Sequence, residues 1–415
     1  MGNNHSRPRP TYETRKRCKY PFLHWRRLCH NDAWCKCDAR RLTKGWTSGH
    51  PGLDKFIKET QRSTREWMDP YLVWIPYDQL SNIKTIGEGG FSITYSAEWC
   101  DMAKRFSWAV TDKPRPVALR LIKDSKDMST SFIEELRVYH QCISNPPMFD
   151  GEVKYDHGFL RFFGFTQHPE TRDYLMVTEL APCRDIRYLL QKNFLQLCWS
   201  DKLYWLRNIA GNLVTIHESG YAHRNLHPGN ILMGQIKDGV TVAKLAHLGL
   251  SRPATNVSSK DFYGVLPYIA PEVLLGQQYT KSADIYSIGI IMVELSSGIP
   301  PFVDRVHDEK LALEIVNGLR PEFAEGTPTS YIELAQQCFK SNPSDRPKAR
   351  DLLYMFNQWW DNTQDPEIHD DIFCNADKII PALDNNFIKH PEAVYTSRLI
   401  NFKRLLNKGK EDIRN

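Results

Sequence analysis

The stretch His223-Arg224-Asn225-Leu226-His227-Pro228-Gly229-Asn230-Ile231-Leu232 decides how this chain folds. Three polar side chains stand in a row before a Pro-Gly turn, a second asparagine closes the turn, and an aliphatic pair opens a strand. Other punctuated stretches flank it in a fixed order. Upstream come the glycine-rich Gly87-Glu88-Gly89-Gly90, the strand-like Val117-Ala118-Leu119-Arg120, and Glu135 within the helical run Phe132–Arg137. Downstream come Lys244-Leu245-Ala246-His247-Leu248-Gly249, then Ala270-Pro271-Glu272, then Ser282-Ala283-Asp284 and Asn342-Pro343-Ser344-Asp345-Arg346. Between them, β-rich runs are expected at Ile83–Ile86, Ser92–Trp99, Arg115–Ile122, Leu160–Thr166 and Tyr174–Glu179, with a helix over Ser129–Cys142. The chain reads as mostly helical after about residue 186. Strands first and helices later predict an α+β fold of two lobes.

Together these stretches resemble the ordered signature set of protein kinases: glycine loop, strand lysine, helix glutamate, HRD loop with its asparagine, DFG and APE. The resemblance implies a bilobal fold with a small β-rich N-lobe and a larger helical C-lobe. It also implies an ATP site formed by Gly87, Gly89, Gly90, Ala118, Arg120, Glu135, Thr178, Glu179, Ala181 and Leu232, with Asn230 and His247 at the metal positions. His223, Arg224, Glu272, Asp284 and Arg346 match positions that hold the large lobe together. Further out, Trp46-Thr47-Ser48-Gly49, Asp54-Lys55-Phe56-Ile57, Trp74-Ile75-Pro76-Tyr77-Asp78 and Tyr395-Thr396-Ser397-Arg398-Leu399 resemble the flanks of kinase-like chains expanded in arbuscular mycorrhizal fungi. Chains of that group often carry paired CxxC knuckles in the head; here Cys29, Cys35 and Cys37, with Cys18 distant, depart from zinc-finger spacing.

The same resemblance exposes three departures at charged positions. Arg120 replaces the strand lysine, exchanging a compact ammonium for a broad planar fork. Asn225 stands where the catalytic aspartate belongs. An amide cannot take a proton from a substrate hydroxyl, and losing a positioned base costs about 10²–10⁴ in rate. His247 stands at the DFG aspartate, and an imidazole is a poor ligand for a hard, oxygen-seeking Mg²⁺. Ser92 replaces the third loop glycine, Thr94 a valine over the adenine, and Arg184 a hinge glycine. The set predicts a pseudokinase acting as a signalling scaffold or allosteric partner of active kinases, with weak or no ATP binding and little hold on Mg²⁺. The competing reading is a slow, unconventional ATP-dependent kinase acting on Ser/Thr or Tyr.

Bulk properties fit a soluble protein with a distinct head. Of 415 residues, 41% are hydrophobic and 25% charged, and no apolar run approaches the ~18 residues of a membrane span. The ten scattered cysteines suggest reduced thiols and a cytoplasmic location. Residues 1–45 hold twelve Lys/Arg against three Asp/Glu, although the whole chain nets only +5, so a basic head precedes a mildly acidic body. Met1-Gly2-Asn3-Asn4-His5-Ser6 fits a myristoylation pattern, which together with that head suggests membrane association. No sequence-specific nucleic-acid motif accompanies the charge. The expected organisation is a flexible head over 1–47, a lead-in helix and extended segment over 48–82, a kinase-like domain over 83–361 and a tail over 362–415. The tail ends in a short amphipathic segment from Leu399. Ser251, Thr255, Ser258, Ser259 and Tyr263 offer hydroxyls in the activation segment, where a phosphate could pair with Arg224.

Overall fold

The structure is a computed structural model of the chain. It describes residues 45–63, 71–88, 92–100, 114–123, 125–127, 130–144, 158–235, 240–246, 252–253, 262–365, 372–380 and 387–400. Gly2, the head cysteines, Gly89, Gly90, His247, Ser251, Thr255, Ser258 and Ser259 lie outside the described residues, as do the side chains of Glu135 and Tyr263. The chain divides into two compact units.

One unit holds the described residues up to Gly87, with Ile93–Met128 and Phe162–Glu179. It opens with helix α1 (Pro51–Ser63), which buries Leu53, Phe56, Ile57 and Thr60, one stripe at helical spacing. Strands β1 (Val73–Trp74), β2 (Leu80–Glu88), β3 (Ser92–Trp99), β4 (Arg115–Ile122), β5 (Phe162–Gln167) and β6 (Tyr174–Glu179) form one sheet in the order β1-β5-β6-β4-β3-β2. Alternation along β4 sends Val117, Leu119 and Leu121 into the core and leaves Ala118 and Arg120 half-buried on the other face. β1 pairs parallel to β5, with Val73 opposite Gly164. Gly164 has φ +153, and a β-carbon there would stand 1.8 Å from the Val73 carbonyl oxygen, so the approach of the lead-in strand requires glycine.

The flanking motifs have a structural role in this unit. The Asp54 carboxylate accepts from Thr47 Oγ1 (2.6 Å), Ser48 N (2.8 Å) and Ser48 Oγ (2.6 Å). Tyr174 donates its hydroxyl to the Ser48 carbonyl (3.0 Å), and Trp46 stacks on Trp74. Residues that resembled a group signature are therefore joined in one cluster against the sheet. The sheet differs from expectation at β2, which runs from Leu80 to Glu88 rather than over Ile83–Ile86. Its residues are mostly exposed, so pairing to β3 and not an apolar pattern sets its length. β5 begins at Phe162, two residues later than expected.

The other unit is predominantly helical. Its elements are α2 (Thr130–Ser144), α3 (Ile186–Asn193), α4 (Trp199–Glu218), β7 (Tyr221–Ala222), β8 (Ile231–Gln235), β9 (Thr241–Leu245), β10 (Arg252–Pro253), β11 (Phe262–Gly264), α5 (Pro271–Leu274), α6 (Lys281–Ser297), α7 (Glu309–Val316), α8 (Thr329–Cys338), α9 (Ala349–Gln364), α10 (Ile372–Asp377) and β12 (Arg398–Ile400). α6 is buried on every side from Ala283 to Ser296, as befits a central helix. It stops at Gly298, whose φ of 71 is the left-handed cap conformation, with Gly298 N donating to Glu294 O (2.8 Å). Asp185 caps α3 by accepting from Tyr188 N (2.9 Å). The short pairs β8–β9, β7–β10 and β11–β12 frame the polar loop between β7 and β8. Leu399 and Ile400, expected to start an amphipathic segment, instead lie in β12; strand pairing overrides periodicity there.

Candidate functional site

The loop 223–230 is held from below by α6. Asp284 is fully buried and accepts from His223 N (2.8 Å) and Arg224 N (2.9 Å), with His217 Nε2 at 2.8 Å and Tyr279 Oη at 3.3 Å. Burial pushes the Asp284 carboxyl up, but these donors outweigh it and hold the group below its ordinary range. Two consecutive backbone amides on one carboxylate fix the loop, and Arg224 is held at φ 68 within it. His223 accepts from Asn225 N at Nδ1 (3.3 Å) and places Nε2 3.3 Å from the Ala246 carbonyl. Burial lowers its pKa, which suits a neutral imidazole with one donor and one acceptor.

Within this frame Asn225 is 7% exposed and its side chain is engaged. Its Nδ2 donates to Ser397 Oγ (2.9 Å), and His227 Nε2 lies 2.9 Å from the same oxygen. Asn230 Nδ2 donates to the Asn225 carbonyl (2.8 Å), which ties the two asparagines together. Burial, then the Arg187 charge, keeps the His227 imidazole neutral by driving its pKa well down. At the back, Arg187 Nε pairs with Glu294 Oε1 (3.1 Å), Nη2 donates to Tyr268 Oη (2.8 Å), and Tyr268 also donates to Glu294. Burial works against the Arg187 charge; Glu294 and Tyr268 more than reverse it, so its pKa rises. Further off, Arg346 and Glu272 form a bidentate pair, with both N–O distances 2.7 Å.

The nucleotide positions divide between the units. In the sheet, β4 and β6 bring Ala118 opposite Thr178, Val117 opposite Glu179 and Arg120 opposite Met176, while Gly87 lies near the end of β2. In the helical unit, Leu232 lies on β8 opposite Lys244 and bridges Asp185, and Ala181 precedes α3. Arg184, where a hinge glycine was expected, adopts φ 62, so the position keeps a glycine-like conformation without glycine. Its guanidinium lies 4.2 Å from the Tyr188 ring centre.

Sequence reasoning put Asn225 and Asn230 in one loop and set His223, Arg224, Glu272, Asp284 and Arg346 among the residues that hold the large lobe together; the structure joins Asp284 to that loop and Glu272 to Arg346. It missed Arg187, Glu294, Tyr268 and Ser397. Their partners are too distant in sequence to leave a local pattern: Ser397 lies 172 positions from Asn225. The one available signal was that Ser397 falls inside the flanking motif Tyr395–Leu399.

A β-rich unit carrying the strand residues, with a helical unit carrying the braced HRD-type loop and the Glu–Arg pair, defines a protein-kinase domain. A family model described as protein tyrosine and serine/threonine kinase matches residues 80–356, and the chain belongs to that family. Proteins of this family generally bind ATP with Mg²⁺. A probable serine/threonine-protein kinase of Dictyostelium discoideum is 25% identical over 286 residues, covering 67% of this chain and 28% of that protein. A protein kinase and PP2C-like domain-containing protein of Arabidopsis thaliana is 26% identical, covering 70% and 45% respectively. Cyclic GMP-binding protein C of D. discoideum is 28% identical, covering 68% and 11%. The chain thus spans less than half the length of each of these relatives. Among the described residues no helix is long and apolar enough to cross a membrane.

Proposed function

We infer that the chain is a pseudokinase that works by docking other signalling proteins, with ATP bound weakly or not at all. The observation that carries this is the state of Asn225. The side chain at the base position is an amide, and it is bound to a residue of the chain's own tail. An amide has no basic electron pair to accept the acceptor's proton. The metal positions support the same reading. Asn230 offers one neutral amide oxygen, and the sequence gives it no carboxylate partner: position 247 is a histidine, a poor ligand for a hard Mg²⁺. The bracing by Asp284 and the Glu272–Arg346 pair belong to the scaffold and serve a docking surface as well as a catalytic one. The kinship of the flanks with the fungal kinase-like group is part of this reading.

The test is thermal stability of the full chain with ATP, with and without Mg²⁺. A ligand present at about its own Kd stabilises by only about 0.4 kcal/mol. At about 1 mM ATP the expected shift in Tm is therefore about one degree or less, and the same in both series. A rise of several degrees that needs Mg²⁺ would refute weak binding.

A further inference from the structure

Residues 387–400 return to the loop 223–230 as an extended strap, held at successive points along its length. His390 N donates to the Val303 carbonyl (2.8 Å), and Val394 N donates to Nδ1 of the buried His307 (3.2 Å). Tyr395 donates its hydroxyl to the Pro301 carbonyl (2.8 Å), and its own carbonyl accepts from Arg187 Nη1 (3.2 Å). The Arg187 guanidinium also lies 4.7 Å from the Tyr395 ring centre. Ser397 then meets Asn225 and His227, and Arg398 donates to the His307 carbonyl. The strap ends in β12, antiparallel to β11, with Gly264 opposite Arg398, Tyr263 opposite Leu399 and Phe262 opposite Ile400.

Each point matches what a docked peptide needs. Strand addition supplies backbone affinity, and side-chain positions along the strand supply selectivity. The hydroxyl lies on the side chain at the base position, and the aromatic ring two residues earlier stacks on a buried cation. We propose that the chain's own residues 394–400 are the resident occupant of the face made by β11, the loop 223–230 and Arg187, and that this strap sets which peptide the face takes. The foreign ligand it takes is an extended peptide of the same chemistry: an aromatic residue, a small hydroxyl residue two positions later and an arginine directly after it. Such a peptide enters only when the strap leaves. The proposal rests on the reading of this loop as a docking surface.

The experiment uses a fluorescently labelled peptide of the sequence Pro391–Ile400, added without nucleotide to the full chain and to the double variant Tyr395→Ala/Arg398→Ala. Both substituted side chains are partly solvent-accessible and lie outside the helical core. Peptide affinity should rise at least tenfold in the variant, and a peptide carrying the same two alanines should not bind. Equal affinity for wild type and variant would overturn the proposal. Hydrogen exchange on the wild type is the second reading. Backbone amides of residues 262–264 and 398–400 should be protected together, and both should lose protection in the variant while α4 and α6 keep theirs. Strap amides that exchange at unfolded-chain rates in the wild type would also overturn it. Because peptide binding is read without nucleotide, its failure would remove the peptide-binding face alone. Phosphoryl transfer would remove the pseudokinase reading alone.

Discussion

Glu272→Ala is expected to destabilise the helical unit by about 3–5 kcal/mol, among the largest single effects in this chain. The Arg346 side chain is fully buried, and its two terminal nitrogens meet both carboxylate oxygens of Glu272. The remaining donors are committed to backbone: Nε to Lys340 O (2.8 Å), Nη1 to Ser282 O (3.0 Å) and Nη2 to Ser341 O (3.3 Å). Removing the carboxylate leaves a guanidinium in low dielectric with carbonyl dipoles but no counter-charge. Replacing both partners removes the stranded charge as well. The double variant Glu272→Ala/Arg346→Leu should therefore be more stable than Glu272→Ala alone. Urea denaturation of the single and double variants measures this. A loss below about 1 kcal/mol in the single variant would place the pair in solvent.

Lys202→Met should act in the opposite direction. Lys202 on α4 is fully buried, its Nζ has no hydrogen-bond partner among the described residues, and it lies 4.3 Å and 4.8 Å from the Phe194 and Trp199 ring centres. Burial lowers its pKa from 10.5 to about 7, with Asp377, Cys198 and Asp201 only partly offsetting that. Between those values the unfolded chain holds a proton that the folded chain has shed, so stability rises with pH at up to about 1.4 kcal/mol per unit. The penalty is complete below about pH 7 and gone above the unfolded value. Methionine keeps the shape without the charge, and the gain should be roughly 2–4 kcal/mol below pH 7 after the lost ring contacts are discounted. The diagnostic reading is the difference between variant and wild type over about pH 7–8.5, which should shrink as pH rises. Above that window the Cys198 thiol, raised by burial to about 11, adds an opposite slope. A difference independent of pH would mean that Lys202 is charged at no cost.

How much of this was legible depends on the range of the interaction that sets each feature. β3 and β4 were found to the residue because apolar and polar positions alternate along them. The lead-in helix expected within 48–82 is α1. β2 was drawn too short because an exposed edge strand owes its length to pairing. The brace by Asp284 and the Glu272–Arg346 pair were reachable through motif order, since that order encodes the contacts. Arg187 was not. Its partners Tyr268, Glu294 and Tyr395 lie 81, 107 and 208 positions away, and a lone arginine at the start of a helix carries no mark of burial. The tail shows the same limit: its motif was noticed, but only the folded chain brings Ser397 to Asn225.

On the reading proposed above, the amide at position 225 leaves this kinase domain without turnover. The most direct measurement is transfer of γ-labelled phosphate from ATP, with Mg²⁺, by the full chain to itself and to a general protein acceptor. No transfer above a protein-free blank is expected. Magnesium-dependent transfer that disappears in Arg120→Ala would contradict that reading and make this chain an unconventional enzyme.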